Sequence, residues 1–269
     1  MELTVVVDNM TAKQGLLAEW GYSVWLKTHD RNILLDTGGI AHILMHNLAF
    51  LKLDPKSVTD LVLSHGHFDH TSGVMDVLRT APQARVWAGK SLTRERWGDA
   101  DGSRLSGGGA TLAGLAFSAV DPYFEIAPGV TVFTVPESER DPRWVSTHHM
   151  FEKDACGHLV NDSFGDDVSI LVQTPKGASL ILGCAHAGLP NIMAYAAKTF
   201  GVTEFDTVLG GTHLCSATRG CLSDWMTALA RLPVKHWRPC HCTGFAAAAE
   251  LYKHFEDVNW AAAGTVHTL

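Results

Sequence analysis

The stretch Leu63-Ser64-His65-Gly66-His67-Phe68-Asp69-His70-Thr71-Ser72-Gly73 decides the fold of this chain. The apolar run over residues 60–64 predicts a strand that leads into it. Residues 71–80 have the length and composition of a helix that begins beside the histidines. The polar side chains of the stretch are therefore predicted to lie on a strand-to-helix loop.

Three histidines and one aspartate fall within six residues of this loop, a density that favours a metal site over an ordinary surface loop. His65 and His67 are two residues apart on extended chain, so their imidazoles project to the same side and can share one metal ion. Asp69 and His70 follow where the chain turns into a helix, so they approach from another direction. A second metal ion is therefore possible.

The composition indicates a soluble globular protein. Of the 269 residues, 46% are hydrophobic and 18% are charged. No apolar run approaches the roughly 18 residues that a membrane span needs, so we expect a soluble, cytoplasmic protein. The net charge of -7, without a basic cluster, argues against nucleic acid as a partner. Six irregularly spaced cysteines predict reduced thiols rather than a disulfide framework.

Strands and helices are predicted to follow one another along both halves of the chain, which indicates the α/β class. Further strands are predicted over residues 3–8, 22–27, 31–35, 169–173, 180–183 and 206–209, with a last one that ends near Cys240. Further helices are predicted over residues 40–51, 191–200, 223–232 and 245–255. The less regular stretch between Gly89 and Gly129 predicts a mobile loop or lid.

The loop motif resembles the H-x-H-x-D-H signature of the metallo-β-lactamase superfamily. The resemblance implies a four-layer αββα sandwich over residues 1–269, as one domain with a lid or insertion within residues 89–167. It also implies that His65 and His67 hold one metal ion while Asp69 and His70 hold the other. Upstream, Leu34-Leu35-Asp36-Thr37-Gly38 resembles the strand-end aspartate of the family, so Asp36 is expected to orient a ligand histidine.

A third ligand of the first metal ion is expected from a later loop. Leu180-Ile181-Leu182-Gly183-Cys184-Ala185-His186-Ala187-Gly188 places Cys184 and His186 two residues apart at a predicted strand end, so either could be a ligand. The family usually has a lone histidine followed by a bridging aspartate, and this sequence departs from that pattern. We place His186 ahead of Cys184 and His213. Without a bridging carboxylate, the site could hold one metal ion or two.

The last ligand of the family matches His241, within Arg238-Pro239-Cys240-His241-Cys242-Thr243-Gly244. Strand alternation puts Cys240 and Cys242 on the opposite face from His241. We therefore predict that these two cysteines belong to the core and are not ligands.

A narrower resemblance covers nearly the whole chain. It is to the subgroup usually labelled 7,8-dihydropterin-6-methyl-4-(β-D-ribofuranosyl)-aminobenzene-5′-phosphate synthase-like. It rests on five segments, namely residues 7–9, 164–167, 183–191, 210–214 and 241–244. The label implies a pterin-linked ribosyl phosphate product, but the motifs of a fold carry its metal chemistry and not the identity of its substrate.

The expected activity is hydrolysis of a small ester, lactone, amide or phosphoester by a metal-bound hydroxide. Mixed imidazole and carboxylate ligands suit zinc, with manganese and iron as alternatives. Asp69 could also orient the nucleophile, and His213 could serve as a substrate donor or proton carrier. Four further residues are candidates for binding substrate: Asp8 and Asn9 at the mouth of the site, and Arg140 and Arg143 as a grip for a phosphate.

Other functions fit the same residues. A synthase that joins a ribosyl phosphate to an aminobenzoate or pterin unit would need a phosphate-binding patch beside the metal ions. A non-catalytic protein could keep the fold and sense a ligand or a metal ion. A redox enzyme with two iron ions would contain iron and no zinc. The oligomeric state is not predictable from these features.

Overall fold

Two large sheets face each other, and helices cover the outer side of each. The computed structural model describes residues 1–146, 150–154, 156–215 and 217–269. Its strands are β1 (Glu2–Val7), β2 (Ser23–Lys27), β3 (Asn32–Leu35), β4 (Asp60–Leu63), β5 (Arg85–Gly89), β6 (Arg96–Trp97), β7 (Leu105–Gly107), β8 (Ser118–Val120), β9 (Tyr123–Ala127), β10 (Val130–Thr134), β11 (Phe151–Lys153), β12 (Leu159–Asn161), β13 (Val168–Thr174), β14 (Gly177–Ile181), β15 (Phe205–Gly210), β16 (Val234–Pro239) and β17 (Val266–Thr268). Its α-helices are α1 (Ala41–Phe50), α2 (Phe68–Thr71), α3 (Val74–Thr80), α4 (Leu189–Phe200), α5 (Arg219–Leu229) and α6 (Phe245–His254).

The first sheet has the strand order β17-β1-β2-β3-β4-β5-β8, and the second has the order β16-β15-β14-β13-β10-β9. Strands β3, β4, β5 and β8 are parallel, as are β14, β15 and β16. The carboxyl ends of neighbouring parallel strands meet at one edge of a sheet. The loops that leave these strands can therefore converge on a common site.

The strands are apolar on both faces because both faces of each sheet are covered. Ile33 and Leu35 point into the core between the sheets, whereas Leu34 packs beneath α1 and α3. In the second sheet, Ile170 faces the first sheet and Leu171 faces the helices α4, α5 and α6. This order of helix, sheet, sheet and helix confirms the predicted αββα sandwich.

The helix after the histidine loop begins earlier than predicted and is interrupted. In place of one helix over residues 71–80, α2 starts at Phe68, and α3 starts at Val74. Gly73 lies at the break, where a Cβ atom would stand 2.7 Å from the carbonyl oxygen of Thr37. The close approach of these two backbone segments is a tertiary contact that helical periodicity does not reveal.

The stretch from Gly89 to Gly129, predicted as a mobile loop or lid, contains the four short strands β6, β7, β8 and β9. Strands β8 and β9 pair within the two main sheets. Strands β6 and β7 instead join β11 and β12 in a separate four-stranded sheet, which we call the third sheet. These strands are only two to five residues long, so neither length nor alternation distinguishes them from loops.

The third sheet docks on the histidine loop: the N–H of Gly108 donates to the carbonyl oxygen of Gly66 at 2.9 Å. Of the predicted 89–167 insertion, residues 147–149 and 155 lie outside the described residues. None of the described helices is long and apolar enough to span a bilayer.

Candidate metal centre

Loops from both sheets bring the predicted ligands together. Asp36 follows β3, and the histidine loop follows β4 in the neighbouring position of the first sheet. From the second sheet, Cys184, His213 and His241 follow the parallel strands β14, β15 and β16. The sandwich therefore gathers at one end the residues that lie far apart in the sequence.

His65, His67 and His186 form a first group of buried imidazoles, whose ligand atoms lie within 4.8 Å of one another. The Nε2 atom of His65 is 2.9 Å from Nδ1 of His67. The ring of His186 lies 4.7 Å from that of His65 and 5.0 Å from that of His67, between centroids. Of the three candidates for the third ligand, the structure thus brings His186 to this group.

Asp69, His70 and His241 form a second buried group with the same 4.8 Å limit between ligand atoms. The Nε2 atoms of His70 and His241 are 3.2 Å apart. The Oδ2 atom of Asp69 is 3.4 Å from Nε2 of His241 and 3.9 Å from Nε2 of His70. The two groups are adjacent, since the rings of His65 and His70 lie 4.1 Å apart.

Burial and charge divide the imidazoles into two kinds. Burial lowers the pKa of His67 to about 3, and burial with neighbouring imidazoles also lowers the pKa values of His65 and His186. Burial acts in the same direction on His70, but the carboxylates of Asp36 and Asp69 outweigh it and raise the pKa of His70 to about 9. The first group is therefore neutral at pH 7, which leaves imidazole lone pairs free to bind a cation.

Asp36 supports His70 from the side away from Asp69. Its Oδ2 atom lies 2.7 Å from Nδ1 of His70. The same carboxylate accepts hydrogen bonds from the backbone N–H of Ser64 at 2.7 Å and from the Ser64 hydroxyl at 2.6 Å. This arrangement keeps a proton on Nδ1 of His70 and directs Nε2 toward the second group.

Asp8 and Asn9, predicted to bind substrate at the mouth of the site, both contact His241. The buried Asp8 carboxylate accepts from the backbone N–H of His241 at 2.7 Å and from the Trp260 indole N–H at 2.8 Å. The Nδ2 amide of Asn9 donates to the carbonyl oxygen of His241, and its Oδ1 lies 3.1 Å from Nδ1 of that ring. Both side chains are thus engaged within the protein, because the end of β1 adjoins the end of β16.

The two arginines predicted to grip a phosphate both have partners within the protein. The guanidinium of Arg140 donates to the backbone carbonyl oxygens of Val135, Ser163 and Phe164. Arg143 is exposed and pairs with Asp141. Arg140 therefore fastens two loops to each other, and Arg143 forms a surface ion pair.

Cys184 lies where the two groups meet. Its Sγ atom is 3.1 Å from Nε2 of His70, and His65, His70 and Cys184 form a further cluster with ligand atoms within 4.8 Å. The thiol thus contacts His70 of the second group and lies within 4.8 Å of a ring nitrogen of His65 in the first. It lies in the region where the family pattern would have its bridging aspartate.

Cys242 does not follow the prediction that it would only fill the core. It forms a cluster with Cys184 and His213, and the N–H of His213 donates to its Sγ atom at 3.3 Å. The alternation argument fails because β16 ends at Pro239 and His241 starts a short 3-10 turn. Cys240 does lie in the core between the sheets, as predicted.

Two consecutive aspartates support the first group, although no local pattern in the sequence predicts this role for either. Asp166 accepts from the backbone N–H of Gly66, between His65 and His67, at 2.8 Å. Asp167 accepts from the backbone N–H of Ala187, next to His186, at 2.8 Å. In the sequence, residues 164–167 stand out only as one of the segments that carry the subgroup resemblance.

Backbone strain is concentrated at the same place. Among the described residues other than glycine, six have a left-handed φ, and five of these lie at the centre: Asp36, Phe164, Ala185, His213 and His241. Such a conformation costs about 1–2 kcal/mol per residue. Strained residues persist where function requires them, so their grouping marks this end of the sandwich as the functional site.

The donor set fits a bound cation. Nε2 of His67 and both ring nitrogens of His186 are buried without a hydrogen-bond partner among the described residues. A buried polar atom left unsatisfied costs about 1–3 kcal/mol, which metal coordination would recover. Imidazole, carboxylate and thiolate together form a set that zinc binds well.

Known proteins share this architecture and, in part, this sequence. The family model of the metallo-β-lactamase superfamily matches residues 20–159. The chain is 28% identical, over 84% of its length and 80% of the relative, to the 7,8-dihydropterin-6-methyl-4-(beta-D-ribofuranosyl)-aminobenzene-5′-phosphate synthase of Methanocaldococcus jannaschii. The solved structure of Tm1679, described as a metal-dependent hydrolase of the β-lactamase superfamily, covers 100% of this chain and 99% of its own at 26% identity, with a TM-score of 0.85. Zn²⁺-bound PqqB from Methylobacterium extorquens shares the fold, at 14% identity and a TM-score of 0.56 over the full length of both chains.

Proposed function

The chain belongs to the metallo-β-lactamase superfamily, and we propose that it is a metal-dependent hydrolase of a small ester, lactone or phosphoester. The family resemblance indicated by the histidine motif is thereby confirmed. One observation carries the proposal: buried histidines from loops far apart in sequence face one another, and ring nitrogens of His67 and His186 have no hydrogen-bond partner within the described part of the chain. The similarity to a solved metal-dependent hydrolase over the whole chain supports it further.

Two divalent metal ions would use the donors of the first and second groups. His65, His67 and His186 would hold one ion, and Asp69, His70 and His241 would hold the second. Zinc suits this set best, and manganese or iron remain alternatives to be tested. When bound, such ions lower the pKa of a coordinated water to about neutral and polarise an oxygen of the substrate.

The protein orients the ligand side chains and sets their protonation states before substrate binds. Asp36 keeps the proton of His70 on Nδ1, and Asn9 contacts Nδ1 of His241, so both Nε2 atoms face inward. Burial raises the pKa of Asp69, but His70 and His241 outweigh it and hold that pKa well below its usual range. Asp69 is therefore a carboxylate at any physiological pH, able to accept a hydrogen bond from the attacking water.

The surroundings favour a substrate with an apolar portion. Trp20 is 54% exposed, and its ring lies 5.4 Å from that of His241. Phe68, within the histidine loop, is 48% exposed. Large apolar side chains that remain exposed beside a polar centre are typical of a ligand-binding surface.

The synthase activity is a second candidate, favoured by the match to the Methanocaldococcus jannaschii enzyme. It calls for a phosphate-binding patch, and the two arginines considered for that purpose are engaged elsewhere. A sensor without catalysis is the third candidate. The three differ in what they do with a ribosyl phosphate: the hydrolase cleaves it or ignores it, the synthase joins it to an arylamine, and the sensor releases it unchanged.

A reconstitution experiment tests the proposal. Metal-free protein is loaded separately with zinc, manganese or iron(II) and incubated with a panel of phosphodiesters, carboxylic esters, lactones and ribosyl phosphates. We expect hydrolysis only in loaded protein, and we expect His67→Ala to lose metal and turnover together. His254→Ala, which changes an exposed histidine of α6, is the matched control and should behave as wild type. Full turnover by the metal-free protein would refute the hydrolase mechanism.

A further inference from the structure

We propose that Cys184, His213 and Cys242 form a third metal site, selective for a soft cation such as zinc or cadmium, beside the two groups already described. Their ligand atoms lie within 4.8 Å of one another. Cys184 and Cys242 are buried, and His213 is partly buried. Two thiols and one imidazole supply three of the four ligands of a tetrahedral zinc site.

The topology explains why these three side chains meet. Each lies on the loop that leaves one of three neighbouring parallel strands, β14, β15 and β16. Gly211 gives them room, because a Cβ atom there would stand 2.5 Å from the Sγ atom of Cys242. His213 itself adopts a left-handed φ of 51°, a conformation that costs about 1–2 kcal/mol outside glycine. The chain thus accepts strain at the residue that completes the set.

An independent observation points to a ligand. The Nδ1 atom of His213 is buried and has no hydrogen-bond partner among the described residues. The same ring lies 4.1 Å from that of His186, on the side of the cluster formed by the first group. A buried imidazole nitrogen without a partner destabilises the folded protein unless a cation or a proton donor binds to it.

The chemistry of the donors sets the selectivity. Thiolates favour zinc, cadmium and copper(I), whereas magnesium, calcium and manganese prefer oxygen ligands. The first two groups offer imidazoles and a carboxylate and would accept manganese as well as zinc. The third site should therefore fill with zinc or cadmium and stay empty in manganese, so the total number of bound ions depends on the metal supplied.

Cys184 belongs to this site and also contacts His70 at 3.1 Å, so its thiolate could bridge the third site and the second group. The inference does not rest on hydrolysis. If the protein binds the additional ion but shows no turnover, the proposed third site stands and only the proposed hydrolase function fails. His213 is thus assigned the role of a metal ligand in this proposal. The sequence suggested a substrate donor or a proton carrier.

Cadmium provides the test, because its bond to a thiolate has an ultraviolet charge-transfer band. Metal-free wild-type protein and the Cys242→Ser variant are titrated with cadmium chloride. We expect the variant to bind one equivalent less and to lose the part of the band that the third site contributes, because the site no longer holds its ion. His213→Ala should lose the same equivalent. Cys221→Ser, which changes an exposed thiol on α5, is the matched control and should match wild type.

A cadmium-113 nuclear magnetic resonance spectrum of the wild-type protein tests the proposal without a variant. It therefore remains informative if Cys242→Ser fails to fold. A resonance at the downfield position typical of two thiolate ligands is the expected result. Equal stoichiometry in wild type and Cys242→Ser would overturn the proposal. So would a wild-type spectrum that contains only resonances of nitrogen and oxygen coordination, with or without a single thiolate.

Discussion

The Oδ2 atom of Asp166 accepts a hydrogen bond from the backbone N–H of Gly66 at 2.8 Å, across a separation of 100 residues. Gly66 stands between the proposed ligands His65 and His67, so this contact fixes the loop that carries both. The other carboxylate oxygen of Asp166 lies 2.6 Å from the fully buried guanidinium of Arg96, on β6 of the third sheet. The third sheet is thereby connected to the metal ligands by a continuous chain of buried polar contacts.

Replacement of Asp166 by alanine should weaken metal binding at the first group. The variant leaves the N–H of Gly66 without its acceptor, whereas Arg96 keeps its second ion pair, with Asp162 at 2.8 Å. Loss of such a supporting contact typically costs about 10–100-fold in metal affinity. Competition for zinc against a chromophoric chelator measures the effect. Asp76→Ala, at an exposed ion pair with Arg79, should leave the affinity unchanged. An equal affinity in both variants would contradict the role assigned to Asp166.

The residues of the two clustered groups could be selected from sequence because they fall in short, dense motifs at strand ends. His65, His67, Asp69 and His70 occupy one loop, and period-two geometry already implies that the first pair shares a metal ion. The αββα layers were also predictable from the family motif. In contrast, no local pattern relates Asp166 to Gly66, because their contact exists only after the two sheets have packed.

The errors of sequence interpretation have equally physical causes. Cys242 was assigned to the core by strand alternation, but the strand ends three residues earlier, and the left-handed φ of His241 redirects the chain. Asp8 and Asn9 are residue types common in turns at strand ends. Their contacts with His241 form only because the end of β1 lies beside the end of β16 in the folded protein. In both cases the outcome depends on how the ends of distant strands lie against each other, which a single sequence does not show.

Removal of the Trp20 side chain should raise KM and spare kcat. The indole lies beside His241 but contributes no ligand, so its loss removes apolar contact with substrate without altering the charge at the centre. Loss of about 1 kcal/mol of such contact corresponds to roughly a fivefold higher KM. Steady-state kinetics of Trp20→Ala, on an ester with an aryl group, checks the expectation alongside metal content. Tyr252→Ala, at an exposed site on α6, is the control. A fall in kcat with KM unchanged would argue against substrate contact.

His267 should make the folded protein sensitive to mild acid. Burial, with the nearby charges of Arg238 and His236, lowers its pKa from 6.5 to about 4. The unfolded chain therefore takes up a proton more readily than the folded one. The stability that neutral His267 contributes is complete above about pH 6.5 and is lost as the pH falls toward 4.

The measurement compares wild type with His267→Gln, which cannot be protonated. Between about pH 7 and pH 4 the free energy of unfolding of wild type should fall by roughly 1–2 kcal/mol more than that of the variant. The full shift would predict more, but the ring is partly exposed, and solvent screens its charge. Urea denaturation at each pH gives both values. Parallel pH profiles for the two proteins would show that His267 is not responsible.

The third sheet approaches the histidine loop through a glycine. Gly107, the last residue of β7, forms an isolated bridge with His67. A Cβ atom at this position would overlap the carbonyl oxygen of Gly66 and crowd the Cα atom of His67. Because these atoms are backbone, a side-chain rotation cannot relieve the clash. Any side chain at position 107 must therefore push the third sheet away from the ligands.

Gly107→Ala should accordingly lower both stability and zinc affinity, although alanine is otherwise the mildest replacement. Overpacking of this kind typically costs about 1–3 kcal/mol. The matched control is Gly220→Ala in α5, where an added Cβ atom meets nothing within 4 Å. Alanine is the better helix former, so this variant should gain up to about 1 kcal/mol. Urea denaturation and zinc competition on both variants distinguish the two effects. If Gly107→Ala binds zinc as tightly as Gly220→Ala does, the third sheet does not position the histidine loop, and the ligands owe their geometry to the main sandwich alone.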